Sequence, residues 1–324
     1  MKKYLALCFC ALLALASCTQ EIEGDALDTH DQARQTHQAV TLDAYDADAA
    51  LATKTERAED GSVLWSPGDA INLFYGASEG PGSYFVAENT EASNITTFRG
   101  YIEVVTGVVE GSSNQLFWGV YPHNLNNSCN GTSTTIDLQQ IQRSGENSWG
   151  EGALVSVGRS QGLAMGFYNL LGGIIFYVTD DDIKEIVFRG KDSEPVAGPV
   201  TVGFDGNSPA ISSYQDTAAD LHLLPPAEYT KQAFKKTSPG DTTWYFMVIP
   251  PRVYTNGHTV TFYKNDGTYG VREFGKRTVN RNNFTRIRSA ALNNGVEFVP
   301  VPSGLKIVPD DPTGGTYDGG GVDW

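Results

Sequence analysis

From about residue 40 to about residue 290 the chain alternates short apolar runs with polar, turn-forming steps, and no long stretch keeps an apolar period of 3.6 residues. That pattern predicts strands throughout and few, short helices. The runs are rich in Val, Ile, Phe, Tyr and Thr: Ser62-Val63-Leu64-Trp65, Ala70-Ile71-Asn72-Leu73-Phe74, Gly173-Ile174-Ile175-Phe176-Tyr177-Val178, Trp244-Tyr245-Phe246-Met247-Val248-Ile249 and Thr259-Val260-Thr261-Phe262-Tyr263. Asp60-Gly61, Asp205-Gly206 and Asn265-Asp266-Gly267 lie between runs, where glycine supplies the positive φ of a tight turn. Residues 169–176 are almost continuously apolar, as expected of a strand buried on both faces.

A polar, glycine-rich stretch at residues 144–162 reads as a boundary. It divides a β unit at 41–155 from a second at 156–292, each with enough strands for a sandwich or a partly open barrel. The expected fold class is therefore all-β, with two tandem β-sandwich domains. Beyond Leu292, Pro300, Pro302, Pro309 and Pro312 and the glycines near the end describe an extended tail over residues 293–324.

The N-terminus has a different logic. Lys2 and Lys3 precede an apolar run from Tyr4 to Ala16, which is a secretory signal over residues 1–17 and too short to span a bilayer comfortably. Its end, Leu15-Ala16-Ser17-Cys18, resembles the bacterial lipobox, in which cleavage exposes a cysteine whose sulfur carries diacylglycerol. Cys18 is then the lipidated first residue of the mature protein; the alternative is an ordinary signal with Cys18 as a bystander. Residues 18–40 have few large apolar side chains and read as a flexible tether. Its Glu21, Glu23 and Asp25 resemble the export signal that takes Bacteroidetes lipoproteins to the outer face of the outer membrane, and a solvated acidic linker accounts for them equally well.

Composition narrows the picture. With 23 basic and 38 acidic side chains the formal charge is −15, and it becomes two units more negative when Lys2 and Lys3 leave with the signal. Such a surface repels phosphates and argues against nucleic acid as a partner. Cys8 and Cys10 also leave, so with Cys18 lipidated Cys129 has no intrachain partner. Stability must come from a core rather than a disulfide framework.

Candidate chemistry is sparse, and no catalytic residue, metal or cofactor is called for. Gly158-Arg159-Ser160-Gln161-Gly162 matches a nucleophile elbow formally, but that motif needs a strand turning into a helix and Leu163 onward leads to another β run. His30 and His37 lack further ligands for a structural metal. Asp180-Asp181-Asp182 and Asp310-Asp311 lack the alternating spacing of a calcium loop, and charged turns explain them equally well. Thr217, in Asp216-Thr217-Ala218, and Thr242, in Asp241-Thr242-Thr243, resemble a short O-glycosylation signal of exported Bacteroidetes proteins. The aromatic content of 11% would suit glycan stacking and suits β-sandwich cores better.

Two segments carry a wider resemblance. Thr53-Lys54-Thr55-Glu56-Arg57, followed by Gly61-Ser62-Val63-Leu64-Trp65-Ser66-Pro67-Gly68-Asp69-Ala70-Ile71, is similar to the start of the fimbrillin-like (Mfa-like) family of Bacteroidales surface lipoproteins. The run from Phe167 to Phe176, then Ile186-Val187-Phe188-Arg189-Gly190, residues 196–202 and Val279-Asn280-Arg281-Asn282-Asn283-Phe284-Thr285-Arg286-Ile287, is similar to that family's second domain. Together they cover about residues 50–290. The resemblance implies a non-enzymatic structural or adhesive subunit of a pilus-like assembly at the outer membrane surface. Its partners would be other fimbrial subunits or further copies of itself, with host or bacterial surface ligands beyond them.

In polymerising members an arginine-specific protease removes the first strand, and a C-terminal strand from the next subunit fills the groove by strand addition. Carried onto this chain, the first strand is residues 40–45 and Arg57 the matching arginine, unless it is simply an exposed loop residue. The donor candidates are Val296, Phe298, Val299 and Val301, with Leu305 and Ile307 beyond them. Pro300 and Pro302 depart from that role, because each removes a backbone donor. The rival reading is a surface glycan-binding lipoprotein that does not polymerise.

Overall fold

The computed structural model describes residues 37–48, 56–57, 63–75, 77–78, 80–103, 116–215, 217–237, 241–287 and 289–302. Every regular element among them is a strand, as the alternating pattern requires. Seven strands close into a barrel: β1 (His37–Asp46), β4 (Ala70–Tyr75), β6 (Ser83–Ala87), β7 (Ile95–Glu103), β8 (Leu116–Tyr121), β12 (Ser156–Gln161) and β13 (Ala164–Asn169). The order around it is β1-β13-β12-β8-β4-β6-β7, antiparallel except where β1 meets β13. A short ribbon of β2 (Glu56–Arg57) and β3 (Val63–Leu64) leads into it.

Three further sheets stack beyond the barrel. One joins β5 (Ala77–Ser78), β9 (Ser128–Asn130), β10 (Thr134–Leu138), β16 (Gly198–Asp205) and β17 (Ser208–Tyr214) in the order β17-β16-β10-β9-β5. A central sheet places β14 (Gly172–Phe176) between β19 (Tyr245–Ile249) and β24 (Phe284–Arg286). The outermost sheet orders β11 (Ile141–Arg143), β18 (Asp220–Leu224), β15 (Ile183–Gly190), β21 (His258–Lys264), β22 (Thr268–Phe274) and β25 (Val299–Pro300). A ribbon of β20 (Arg252–Tyr254) and β23 (Arg277–Val279) completes the set.

Strand alternation sorts the apolar side chains into three cores. Val40, Leu42, Ala44, Ile71, Leu73, Phe85, Phe98 and Phe167 fill the barrel around Trp65. The outward faces of β4, β8 and β12 are also buried: Phe74, Trp118, Val120 and Val157 pack with Ile136, Leu138, Val200 and Val202 and with Ile175, Phe246 and Val248 of the central sheet. The other face of that sheet, through Ile174, Phe176, Tyr245, Met247 and Ile249, meets Ile186, Phe188, Leu223, Val260 and Phe262 in a sandwich. Every residue of β14 and β19 is buried. The two-faced burial read from residues 169–176 is therefore observed. Cys129 is buried and unbridged.

The expected boundary moves. Residues 156–169 belong to the barrel, since Ser156–Gln161 pairs with Leu116–Tyr121 and Ala164–Phe167 with Asp43–Asp46. Strands from the first half also enter sheets of the second: β10 pairs with β16 and β11 with β18. The stretch 144–155 is no linker, for Trp149, Ala153, Leu154 and Val155 are buried in the middle core. Its glycines serve close approach: a Cβ on Gly150 would stand 1.5 Å from the Arg143 carbonyl oxygen. The tether boundary shifts too, because β1 begins at His37. The start of the tail is anchored as well: Asn293 Oδ1 accepts the Thr179 N–H at 3.0 Å, and Val296 and Phe298 lie partly buried against the sandwich core.

Local turn chemistry follows the sequence where it is described. Gly206 (φ 59°) and Gly267 (φ 81°) make the β16–β17 and β21–β22 turns; Asp60-Gly61 lies outside the described residues. His258, 2% exposed, stacks on Phe274 with ring centroids 4.8 Å apart. Burial, then the nearby Arg277 and Lys191 charges, push its imidazole pKa down to about 4. The unfolded chain takes up that proton near pH 6.5 and the folded chain does not. Stability is therefore expected to fall as pH drops from about 6.5 to about 4, by roughly 3 kcal/mol from this group. Urea titrations should show that slope, and His258→Phe should flatten it.

Candidate strand-exchange groove

β1 is the first described strand, ten residues long, and closes the barrel. It pairs antiparallel with β7 from His37↔Glu103 to Tyr45↔Ile95, and parallel with β13 from Asp43↔Ala164 to Asp46↔Phe167. Val40, Leu42 and Ala44 are buried while Ala39, Thr41, Asp43 and Tyr45 are exposed, the period-2 pattern of a strand with one face in a core. Lifting β1 out would expose the barrel core and leave β7 and β13 with unpaired backbone edges.

The seat beneath β1 is aromatic. Trp65 is fully buried and meets Phe98, Tyr121 and Phe167 edge-on at 4.9, 5.4 and 5.2 Å. Ser66-Pro67-Gly68-Asp69 holds it there as a tight turn, with Gly68 at φ 83°. The Asp69 carboxylate accepts the Ser66 N–H at 2.8 Å and the Tyr121 hydroxyl at 3.3 Å. The quoted motif thus has a packing and turn role.

The exit of β1 is tied to the sandwich beyond the barrel. Asp48 Oδ2 accepts the Asn169 N–H at 2.8 Å and faces Arg281 Nη1 at 2.6 Å, while Asp48 Oδ1 accepts from Nη2 at 2.9 Å. Arg281 Nη1 also donates to the Asn169 carbonyl at 2.7 Å. Asn169, 1% exposed, accepts the Ser156 hydroxyl and donates its amide to Asn282. Sequence reading passed over Asp48 as part of the link after β1. Asn169 and Arg281 stood in the quoted segments without a role. Three groups far apart in sequence carry no local signal of their meeting.

The other predicted residues fall as follows. Arg57 pairs through its backbone with Val63 in the short ribbon. Val296 and Phe298 pack on the sandwich core, and Lys264 Nζ lies 4.8 Å from the Phe298 ring centroid. Val299 pairs with Tyr269 at the sheet edge, and the Val301 N–H donates to Gly267 O at 3.0 Å. Pro300 thus sits in an edge strand, where a missing donor is tolerated. Leu305, Ile307, Cys18, His30, Asp216 and Asp310-Asp311 lie outside the described residues. Thr217 and Thr242 are half-buried.

Ser160 lies in β12, leading by a turn into another strand, and its hydroxyl donates to Ala164 O at 2.7 Å. Asp180 and Asp181 face Lys264 at 3.0 Å, Lys231 at 3.7 Å and Lys236 at 3.8 Å, which makes that run a charge-paired turn. Among the described residues, no group of three or more His, Cys, Asp and Glu side chains is placed to hold a metal.

No family model and no curated protein matches the chain. Its structural neighbours include candidate cell adhesion proteins and a fimbrial tip protein. A candidate cell adhesion protein of Bacteroides uniformis aligns with a TM-score of 0.39 and 14% identity, covering 80% of this chain and 95% of that one. One of Bacteroides ovatus aligns at 0.42 and 10%, covering 82% and 97%. The tip fimbrial protein Mfa3 of Porphyromonas gingivalis, with C-terminal truncation, aligns at 0.34 and 9%, covering 81% and 98%. At these scores and identities no residue role transfers from them.

Leu42 is completely buried under the barrel wall. Leu42→Ala is expected to lower stability by about 2–5 kcal/mol, and Thr41→Ala on the exposed face by less than about 0.5 kcal/mol. Urea melts of the two variants give the comparison.

Proposed function

We propose that the chain is a surface-anchored structural or adhesive subunit of a pilus-like assembly, built by exchange of its first strand. The observation that carries this reading is β1 itself. It is terminal in the described fold, contributes one row of apolar side chains to the barrel, and is followed by a short connection containing Arg57. Cleavage at Arg57 would separate β1 from the barrel without touching the other three sheets. The vacated site would then offer an apolar floor and two open strand edges, which an incoming strand covers together.

On this reading Cys18 carries lipid and delivers the precursor to the outer membrane surface, where cleavage releases the body from its anchor. The donor is the tail beyond residue 302. Val296 and Phe298 are already engaged on the chain's own core, so using them would re-expose apolar surface, whereas Leu305 and Ile307 stand two residues apart, as one apolar row of a strand requires.

Purified precursor cleaved at Arg57 is expected to form ladders of oligomers that disappear when residues 303–324 are deleted. A cleanly cleaved product that stays monomeric, and is retarded in a polysaccharide gel, contradicts this reading and favours glycan capture.

A further inference from the structure

The apolar face of β1 sets which side points inward but not how far along the barrel the strand sits. Val40, Leu42 and Ala44 alternate, so a slip of two residues keeps apolar side chains facing the core. Such a slip moves every residue by roughly 6–7 Å. At the strand's exit the Asp48–Arg281 pair does not tolerate it. The two guanidinium nitrogens meet the two carboxylate oxygens at 2.6 and 2.9 Å, a planar fork with a fixed position. The Asp48 side chain is 9% exposed and that of Arg281 25%, so water screens the pair only in part. Arg281 is held by the Asn169 carbonyl, and Asn169 is itself fixed at the end of β13.

We propose that Arg281 is the register-setting residue of the groove. It reads a carboxylate in the strand that fills the barrel: Asp48 in the chain itself and, after exchange, Asp311 from the tail of a second copy. This rests on the strand-exchange reading above and adds the residue that positions the donor. The spacing is the argument for the occupant. Asp48 lies six and four residues after the inward Leu42 and Ala44, and Asp311 lies six and four after Leu305 and Ile307. In that alignment Lys306 and Val308 take the exposed positions of Asp43 and Tyr45. Pro309 takes that of Asp46, at the strand end, where the N–H donates to Asn94 O at 3.3 Å. The missing donor then falls at the last pair of the β1–β13 ladder.

The test uses the chain nicked through a site-specific protease sequence replacing residues 51–55, with a fluorescent peptide of residues 37–50 exchanged into the barrel. Unlabelled peptides of residues 37–50 and 303–313 compete for it, each with and without its acid. Asp48→Asn and Asp311→Asn are expected to raise the peptide concentration needed by tenfold or more, on the order expected for a charge-assisted pair. Arg281→Gln in the body should abolish the difference within each pair while both peptides still enter. Because the acids are changed in the peptides, the fold of the body is untouched. Equal competition with and without the acid in either pair overturns the assignment, as does a tail peptide that fails where the β1 peptide succeeds. Failure of both unaltered peptides to enter sinks the strand-exchange reading itself, and this assignment with it.

Discussion

The central sheet of β14 and β19 is the constraint on which the rest of the molecule depends. It has no solvent face. Ile174 and Phe176 point one way and Ile175 the other, and across the pairing Tyr245, Met247 and Ile249 oppose Phe246 and Val248. Such a sheet is stable only when both sides are covered, by the sandwich on one side and the barrel wall with its five-stranded neighbour on the other. The Gln142 side chain joins the arrangement from 106 positions away. Its amide donates to Val248 O at 2.8 Å and accepts the Val248 N–H at 3.1 Å. The barrel and the sandwich are therefore bound through a shared core, not strung together by a linker.

That arrangement sets β1 apart from the shared core. β1 lies on the far side of the barrel from the shared core, and its inward residues belong to the barrel cluster alone. Its removal costs the barrel one wall and leaves the middle core with all its members. The exception is the Asp48–Arg281 fork, which joins the strand's exit to the turn after β23. A first strand packed on the barrel core alone, beside a middle core that it does not enter, is the arrangement that the proposed strand exchange needs.

Much of this was legible in the sequence. Alternating residues gave the strands, and the turn glycines 206 and 267 fell where hairpins close. The unbroken apolar run ending at Phe176 announced a strand with two buried faces. What was not legible was which strands share a sheet. Thr134 pairing with Val202 is a contact across a long separation, and hydrophobic pattern alone does not specify partners. The polar look of residues 144–155 misled for a related reason. Glycine there marks close backbone approach to Arg143, and Trp149 buries itself beside it, so composition imitates a linker in a packed segment. The fork escaped notice because an aspartate after a strand and an arginine in a turn are ordinary surface residues until the fold brings them together.

The central claim is that β1 is separable from a platform that persists without it. Amide hydrogen exchange on the chain cleaved at Arg57 and freed of β1 tests this directly. The account predicts lost protection along β7 and β13, the two strands that pair with β1, with residues 172–176 and 245–249 protected as in the uncleaved chain. Loss of protection in β14 and β19 together with the barrel strands, or unchanged protection across residues 95–103, would contradict it.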